Sequence, residues 1–199
     1  AGGDLVVSKG ILGDSRAMIR AHHDVYAKYL ENCTVHCRGN LQTDCIVNCD
    51  VYSDGAVQVR SGRGTIIGGC VRAANEINAS VVGSRSERPT TIVLGGMPCE
   101  DFEKELLQQE IREMTEEFEK VQRQPDSPAK LSRLSTLRMK IAVDKKKLEE
   151  FDKEDAELLV MPPEEVYDMR MNGGIVYPGT EVRIGMAKLK VKQETRQCT

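Results

Sequence analysis

Cys33-Thr34-Val35-His36-Cys37 is the densest set of chemistry-bearing side chains in the sequence, and His22, His23, Cys45 and Cys49 lie close to it. Thiolates and imidazoles at short spacing are the donors of a tetrahedral zinc site. A second set is the Gly-rich run Arg60-Ser61-Gly62-Arg63-Gly64-Thr65-Ile66-Ile67-Gly68-Gly69. A phosphate-cradling loop needs a helix N-terminus after its glycines. An apolar, β-like run follows here, so the stretch reads as a loop leaving a corner. A third set is Arg20, His36, Tyr52 and Arg72. Cations beside an aromatic ring suit an anion or a partner surface, and solvated surface is the plain alternative. Ser84, Ser86 and the three His fall in no nucleophile motif. No catalytic residue, metal ligand or cofactor is assigned.

The elements that must position these side chains are repeats. Gly3-Asp4-Leu5-Val6-Val7, His23-Asp24-Val25-Tyr26-Ala27, Gly39-Asn40-Leu41-Gln42-Thr43, Gly55-Ala56-Val57-Gln58-Val59 and Asn75-Glu76-Ile77-Asn78-Ala79 centre on Leu5, Val25, Leu41, Val57 and Ile77, which are 20, 16, 16 and 20 residues apart. Ala17–Ala21, Cys33–Cys37, Cys49–Ser53 and Gly69–Ala73 follow in step. Short strands in a fixed register over such a period predict a stacked β-solenoid.

Alternation with period two assigns the faces. Ala17/Ile19/Ala21, Cys33/Val35/Cys37, Cys49/Val51/Ser53 and Gly69/Val71/Ala73 point inward: small, β-branched, small. Met18/Arg20, Thr34/His36, Asp50/Tyr52 and Cys70/Arg72 point outward into water, so Arg20, His36, Tyr52 and Arg72 form one vertical stripe. The same register argues against zinc. Cys33 and Cys37 face in while His36 faces out, and Cys33 and Cys49 fall on adjacent rungs, about 4.8 Å apart, as reduced members of a core ladder. Asn32, Asn48 and Gly68 are level with one another and tolerate left-handed geometry, which predicts a corner. The two 20-residue spacings predict loops of four extra residues near Lys9–Leu12 and Ser61–Gly64.

Composition bounds the rest. The 199 residues include no Trp and only 4% aromatics, which suits a thin solenoid. A net charge of −3 gives no electrostatic case for nucleic acid or an anionic membrane. There is no 18-residue apolar run, hence no expected membrane span, and no signal peptide. The seven Cys fit a reducing cytoplasm. The sequence starts without Met and inside a repeat, as a piece lacking an N-terminal region would.

Residues 1–96 form the repeat region, closing with Pro89–Gly96. Residues 97–160 change character. Leu107, Ile111, Met114, Phe118 and Val121 are spaced 4, 3, 4, 3, a coiled-coil seam. Gln124-Pro125-Asp126-Ser127-Pro128 breaks the helix, and Leu134, Leu137, Ile141, Leu148 and Phe151 resume the seam with Asp144 interrupting it. Two such helices should pair antiparallel as an arm of roughly 35 Å. Met161-Pro162-Pro163 ends the second helix, and the β pattern returns over 161–199, with Lys188, Lys190 and Lys192 guarding the last strand against edge-to-edge growth. The fold class is mainly β with an α insertion.

With these features the chain resembles the conserved domain of bacterial flagellar assembly protein A. The resemblance rests on Ala27-Lys28-Tyr29-Leu30-Glu31-Asn32-Cys33, Gly64-Thr65-Ile66-Ile67-Gly68-Gly69, Val82-Gly83-Ser84, Thr91-Ile92-Val93-Leu94-Gly95, the helical insertion and Ile175-Val176-Tyr177-Pro178-Gly179, and it covers nearly the whole chain. It implies a right-handed parallel β-helix interrupted by an antiparallel coiled-coil hairpin, in a cytoplasmic bacterial protein with no catalytic residues to carry over. The expected function is a non-enzymatic scaffold or protein-interaction module that binds a protein partner or itself, as a homodimer. A polymer-forming β-helix filament is the alternative. A hexapeptide-repeat acyltransferase would need coils of about 18 residues, against spacings of 16 and 20 and with no placed His base.

Overall fold

The computed structural model of the chain describes residues 1–60, 62–125, 127–158, 169–185 and 187–198, the side chains of 152–158 excepted. It divides into two compact units. One holds Ala1–Cys99 and the C-terminal strands, and the other opens at Glu100.

In the first unit β1 (Leu5–Ala21), β2 (Val25–Cys37), β3 (Leu41–Thr43), β4 (Cys45–Ser53), β5 (Val57–Val59), β6 (Thr65–Ala73), β7 (Glu76–Val82) and β8 (Thr90–Leu94) stack in parallel register. One ladder runs Leu5, Val25, Leu41, Val57, Ile77. A second runs Ile19, Val35, Val51, Val71, Ile92. Both were expected as far as Ile77 and Val71. A third, which the repeat analysis did not separate, runs Ile11, Leu30, Ile46, Ile66, Val82. After the first rung all of these side chains are buried, and each such aliphatic side chain contributes about 1.5–3 kcal/mol of transfer free energy. A β-solenoid interior is therefore three stacks of branched side chains with small ones between.

The corners are built as expected, and by more than expected. Asn32 and Asn48 have φ near 50° and Gly68 has φ 71°. The Asn48 amide donates to Asn32 Oδ1 at 3.3 Å, so the corner residues also bond along the stack. At another corner each side-chain oxygen accepts the next rung's N–H: Asp4 from Asp24, Asp24 from Asn40 at 2.7 Å, and Asn40 from Ala56 at 2.9 Å. The loop expected near Ser61–Gly64 falls between β5 and β6, with Ser61 outside the described residues. The first insertion differs. Gly10, Ile11 and Leu12 pair with Tyr29, Leu30 and Glu31, and the register slips on either side of them, before Gly10 and between Leu12 and Ala17. Ile11 is part of the third apolar stack, and packing it inward forces the surplus residues to its flanks.

The chain re-enters the stack as predicted. β9 (Arg170–Val176) pairs parallel with β7, and β10 (Thr180–Ile184) pairs parallel with β8. β11 (Ala187–Lys190) and β12 (Thr195–Cys198) then pair antiparallel with β10 and β9. Lys188 on the edge strand bonds Glu181 at 3.0 Å.

The second unit is two helices, α1 (Pro98–Gln122) and α2 (Pro128–Leu158). Pro128 takes the first helical position and Ser127 Oγ accepts the Lys130 N–H at 3.1 Å, a cap that starts α2. The half-buried apolar positions include Leu107, Ile111, Met114, Phe118, Val121, Leu134, Ile141, Leu148 and Phe151, and Leu137 is buried. Asp144 lies on that side and bonds Lys147 at 3.5 Å. Arg133 Nε donates to Glu117 at 2.9 Å, and the Lys104 ammonium sits 5.9 Å from the Phe151 ring centre. Among the described residues no helix is long and apolar enough to cross a membrane. The expected helix end at Met161-Pro162-Pro163, and the 160/161 boundary, lie outside the described residues.

Candidate functional site

The left-handed corner at Asn32, Asn48 and Gly68 sets the phase of the strands after it. Val35 and Val51 then face inward and His36 and Tyr52 outward. Gly69, with φ 79°, closes that corner so tightly that a Cβ would lie 2.2 Å from the Cys49 carbonyl oxygen. The register puts Arg20 beside His36, His36 beside Tyr52 and Tyr52 beside Arg72. The four candidate residues are thus brought together, and Val93 and Arg183 continue their line.

The His36 and Tyr52 rings stack with centroids 4.9 Å apart and planes 12° from parallel. The Arg72 guanidinium carbon lies 4.4 Å from the Tyr52 ring centre. Parallel strands are about 4.8 Å apart, close to the ring-to-ring distance, so stacked planar groups fit the ladder without bending it. The expectation that the whole stripe stands in water is corrected: His36 and Tyr52 are each only 6% exposed, Arg72 is half-buried, and Arg20 alone of the four is exposed. Stacking removes one face of each ring from solvent, and the chain covers more where it leaves the solenoid. Pro98 and Cys99 are buried there. The Cys99 N–H donates to Asp54 at 2.9 Å, and its thiol to the Cys37 and Tyr52 carbonyls. Burial, and next the charge of Arg20, push His36 down to about 4, so its ring is neutral at physiological pH. The arrangement is a rigid cation–aromatic stack with an open cationic end at Arg20.

The cysteines are arranged as a core ladder. Cys33 and Cys49 face inward with sulfurs 3.6 Å apart. Its hydrogen bond to Cys49, and burial, push the Cys33 thiol well above its ordinary range, while accepting that bond favours the thiolate of Cys49. The Cys37 thiol donates to the His23 and Asn40 carbonyls at 3.1 Å, and burial raises it to about 11. Burial raises Cys99 to about 12. His22 and His23 are exposed, and no three of the described His, Cys, Asp and Glu residues are grouped to hold a metal. The Gly-rich run leads into strand β6, so its backbone offers no helix N-terminus to a phosphate.

Sequence reasoning missed a polar network on another face. Asn78, fully buried, donates to Gln58 Oε1 at 3.0 Å and accepts from Arg60 and Asn172 at 2.6 Å each. Glu76 accepts from Gln58 and Asn172. The signal was available: Gln42, Gln58 and Asn78 each follow the apolar residue of their repeat.

Residues 1–199 match the family described as Flagellar Assembly Protein A beta solenoid domain. The chain belongs to that family. No curated protein and no solved structure matches it. Family membership agrees with the fold, and the family is described by assembly rather than by an enzyme activity.

Proposed function

We propose that this family member is a non-enzymatic scaffold in flagellar assembly, a right-handed parallel β-helix that holds an antiparallel coiled-coil hairpin as a docking element. The carrying observation is the division into a packed β stack and a separate helical unit. The stack has an interior of aliphatic and small side chains and a buried histidine locked against Tyr52, which suits stiffness rather than turnover. In the helical unit the seam residues are half-buried, Leu137 fully so, while most charged residues remain exposed. Contacts that join Lys104 to Phe151 and Glu117 to Arg133 support the antiparallel pairing. The stripe Arg20, His36, Tyr52 and Arg72 serves this reading as a stiffening stack with Arg20 available to a partner. The protein acts in the cytoplasm on protein partners, as a homodimer. Its domains are the repeats over 1–96, the hairpin over 97–160 and the returning β segment over 161–199.

The test is quantitative mass spectrometry of proteins co-purifying with the tagged chain, with and without Glu100–Glu165. Flagellar components enriched by the whole chain and lost with the helical unit are the expected result. An identical set in both samples contradicts the docking role.

A further inference from the structure

α2 carries apolar side chains on two opposite faces. One face holds Leu134, Leu137, Ile141, Leu148 and Phe151, turned away from solvent. On the other, Leu131, Met139 and Val143 are 66%, 69% and 55% exposed. At 100° per residue these three, with Ser135 and Ala142, form a stripe opposite Leu137, about 18 Å long. Arg138 and Lys145 flank it on one side and Lys140 on the other, all exposed, with Lys147 next to Lys140 but paired to Asp144. Large apolar residues at the solvent pole of a helix are not needed for its seam. A contiguous apolar patch rimmed by charge marks an interaction surface.

We infer that this outer face of α2 docks an amphipathic helix of a protein partner whose apolar side is flanked by Asp and Glu. The inference deepens the docking role proposed above and rests on it. The rim decides the occupant, because Arg138, Lys140 and Lys145 bordering an apolar stripe complement acidic flanks and repel basic ones. A second copy is a poor fit on two counts. α2 against α2 sets like-charged rims together. α1, whose acidic residues would complement the rim, presents Gln109, Glu113 and Glu116 opposite its own seam and no large apolar side chain there. An amphipathic helix whose apolar anchors repeat over about three turns matches the span from Leu131 to Val143.

The test is photo-crosslinking in cells from the full chain carrying Met139→p-benzoylphenylalanine, with the crosslinked peptide sequenced. The expected product is a partner segment with helical apolar spacing and acidic flanks, its yield falling about tenfold or more when Arg138→Glu and Lys145→Glu are added, since reversed rim charges oppose association. All three substitutions are at exposed positions, and an unchanged thermal melt checks that the chain still folds. Crosslinks only to lipid, to a second copy of the chain, to a non-acidic segment or to nothing overturn the inference. If partners are still lost on deleting Glu100–Glu165 while Met139 gives no acidic helix, the docking role stands and this surface assignment falls.

Discussion

Val51 has no exposed surface and sits between Val35 and Val71 in one stack. A carboxylate there has no partner and no water, so Val51→Asp should destabilise by about 3–5 kcal/mol or prevent folding, which a denaturant titration will read. His36 makes a gentler, pH-dependent contribution. Its folded value of about 4 lies below the 6.5 of a free imidazole. Between those values the unfolded chain binds a proton that the folded chain refuses, so stability is full above pH 6.5 and falls as pH drops toward 4. Denaturant titrations across that range should show a slope that flattens in His36→Gln; equal slopes in both chains would remove the buried neutral histidine from the account. At this scale the inward Cys33, Val35, Cys49 and Val51 were legible, because alternation fixes a face. The burial of His36 and Tyr52 was not. It depends on stacking across rungs and on where Pro98 and Cys99 cross the strands, and neither leaves a local pattern.

The corner at Asn32, Asn48 and Gly68 tests how an element is specified. Left-handed backbone costs an ordinary residue about 1–2 kcal/mol and glycine little. Asn48→Ala and Asn48→Gly both lose the bonds to Asn32 and Arg88, so the difference between them isolates the backbone. The alanine variant should be less stable by about 1 kcal/mol; equal stabilities would mean that the side-chain bonds, not the conformation, hold the corner. Two of the three apolar ladders were legible from their 16- and 20-residue periods. The third was hidden because Leu30, Ile46 and Ile66 each stand alone as the buried aliphatic residue just before the corner inside β2, β4 and β6, a stretch too brief for alternation to register. The same stack explains the misplaced first insertion, since Ile11 had no assigned partner until Leu30 was recognised as one. In the helices, the 4-3 spacing marked the sheltered side correctly, including Asp144. The 4-3 spacing follows one face only and carries no sign of the opposite stripe at Leu131, Met139 and Val143.

At the scale of the molecule, the proposed homodimer is a claim about closure. The lysines on edge strand β11, Lys188 bonded to Glu181, discourage open edge-to-edge growth, and a two-fold dimer is the commonest closed form. Light scattering over a concentration series should give twice the 22.1 kDa chain mass. A constant monomer mass rejects the dimer, and mass that keeps rising favours the filament. The solenoid should hold its shape without the helical unit, which leaves that unit free for partners. Hydrogen–deuterium exchange measured on the whole chain and on a chain with Glu100–Glu165 replaced by a short Gly/Ser linker tests it directly. The slowest amides should lie in β2, β4 and β6 and keep their protection after the replacement; loss of protection along those strands would contradict the account.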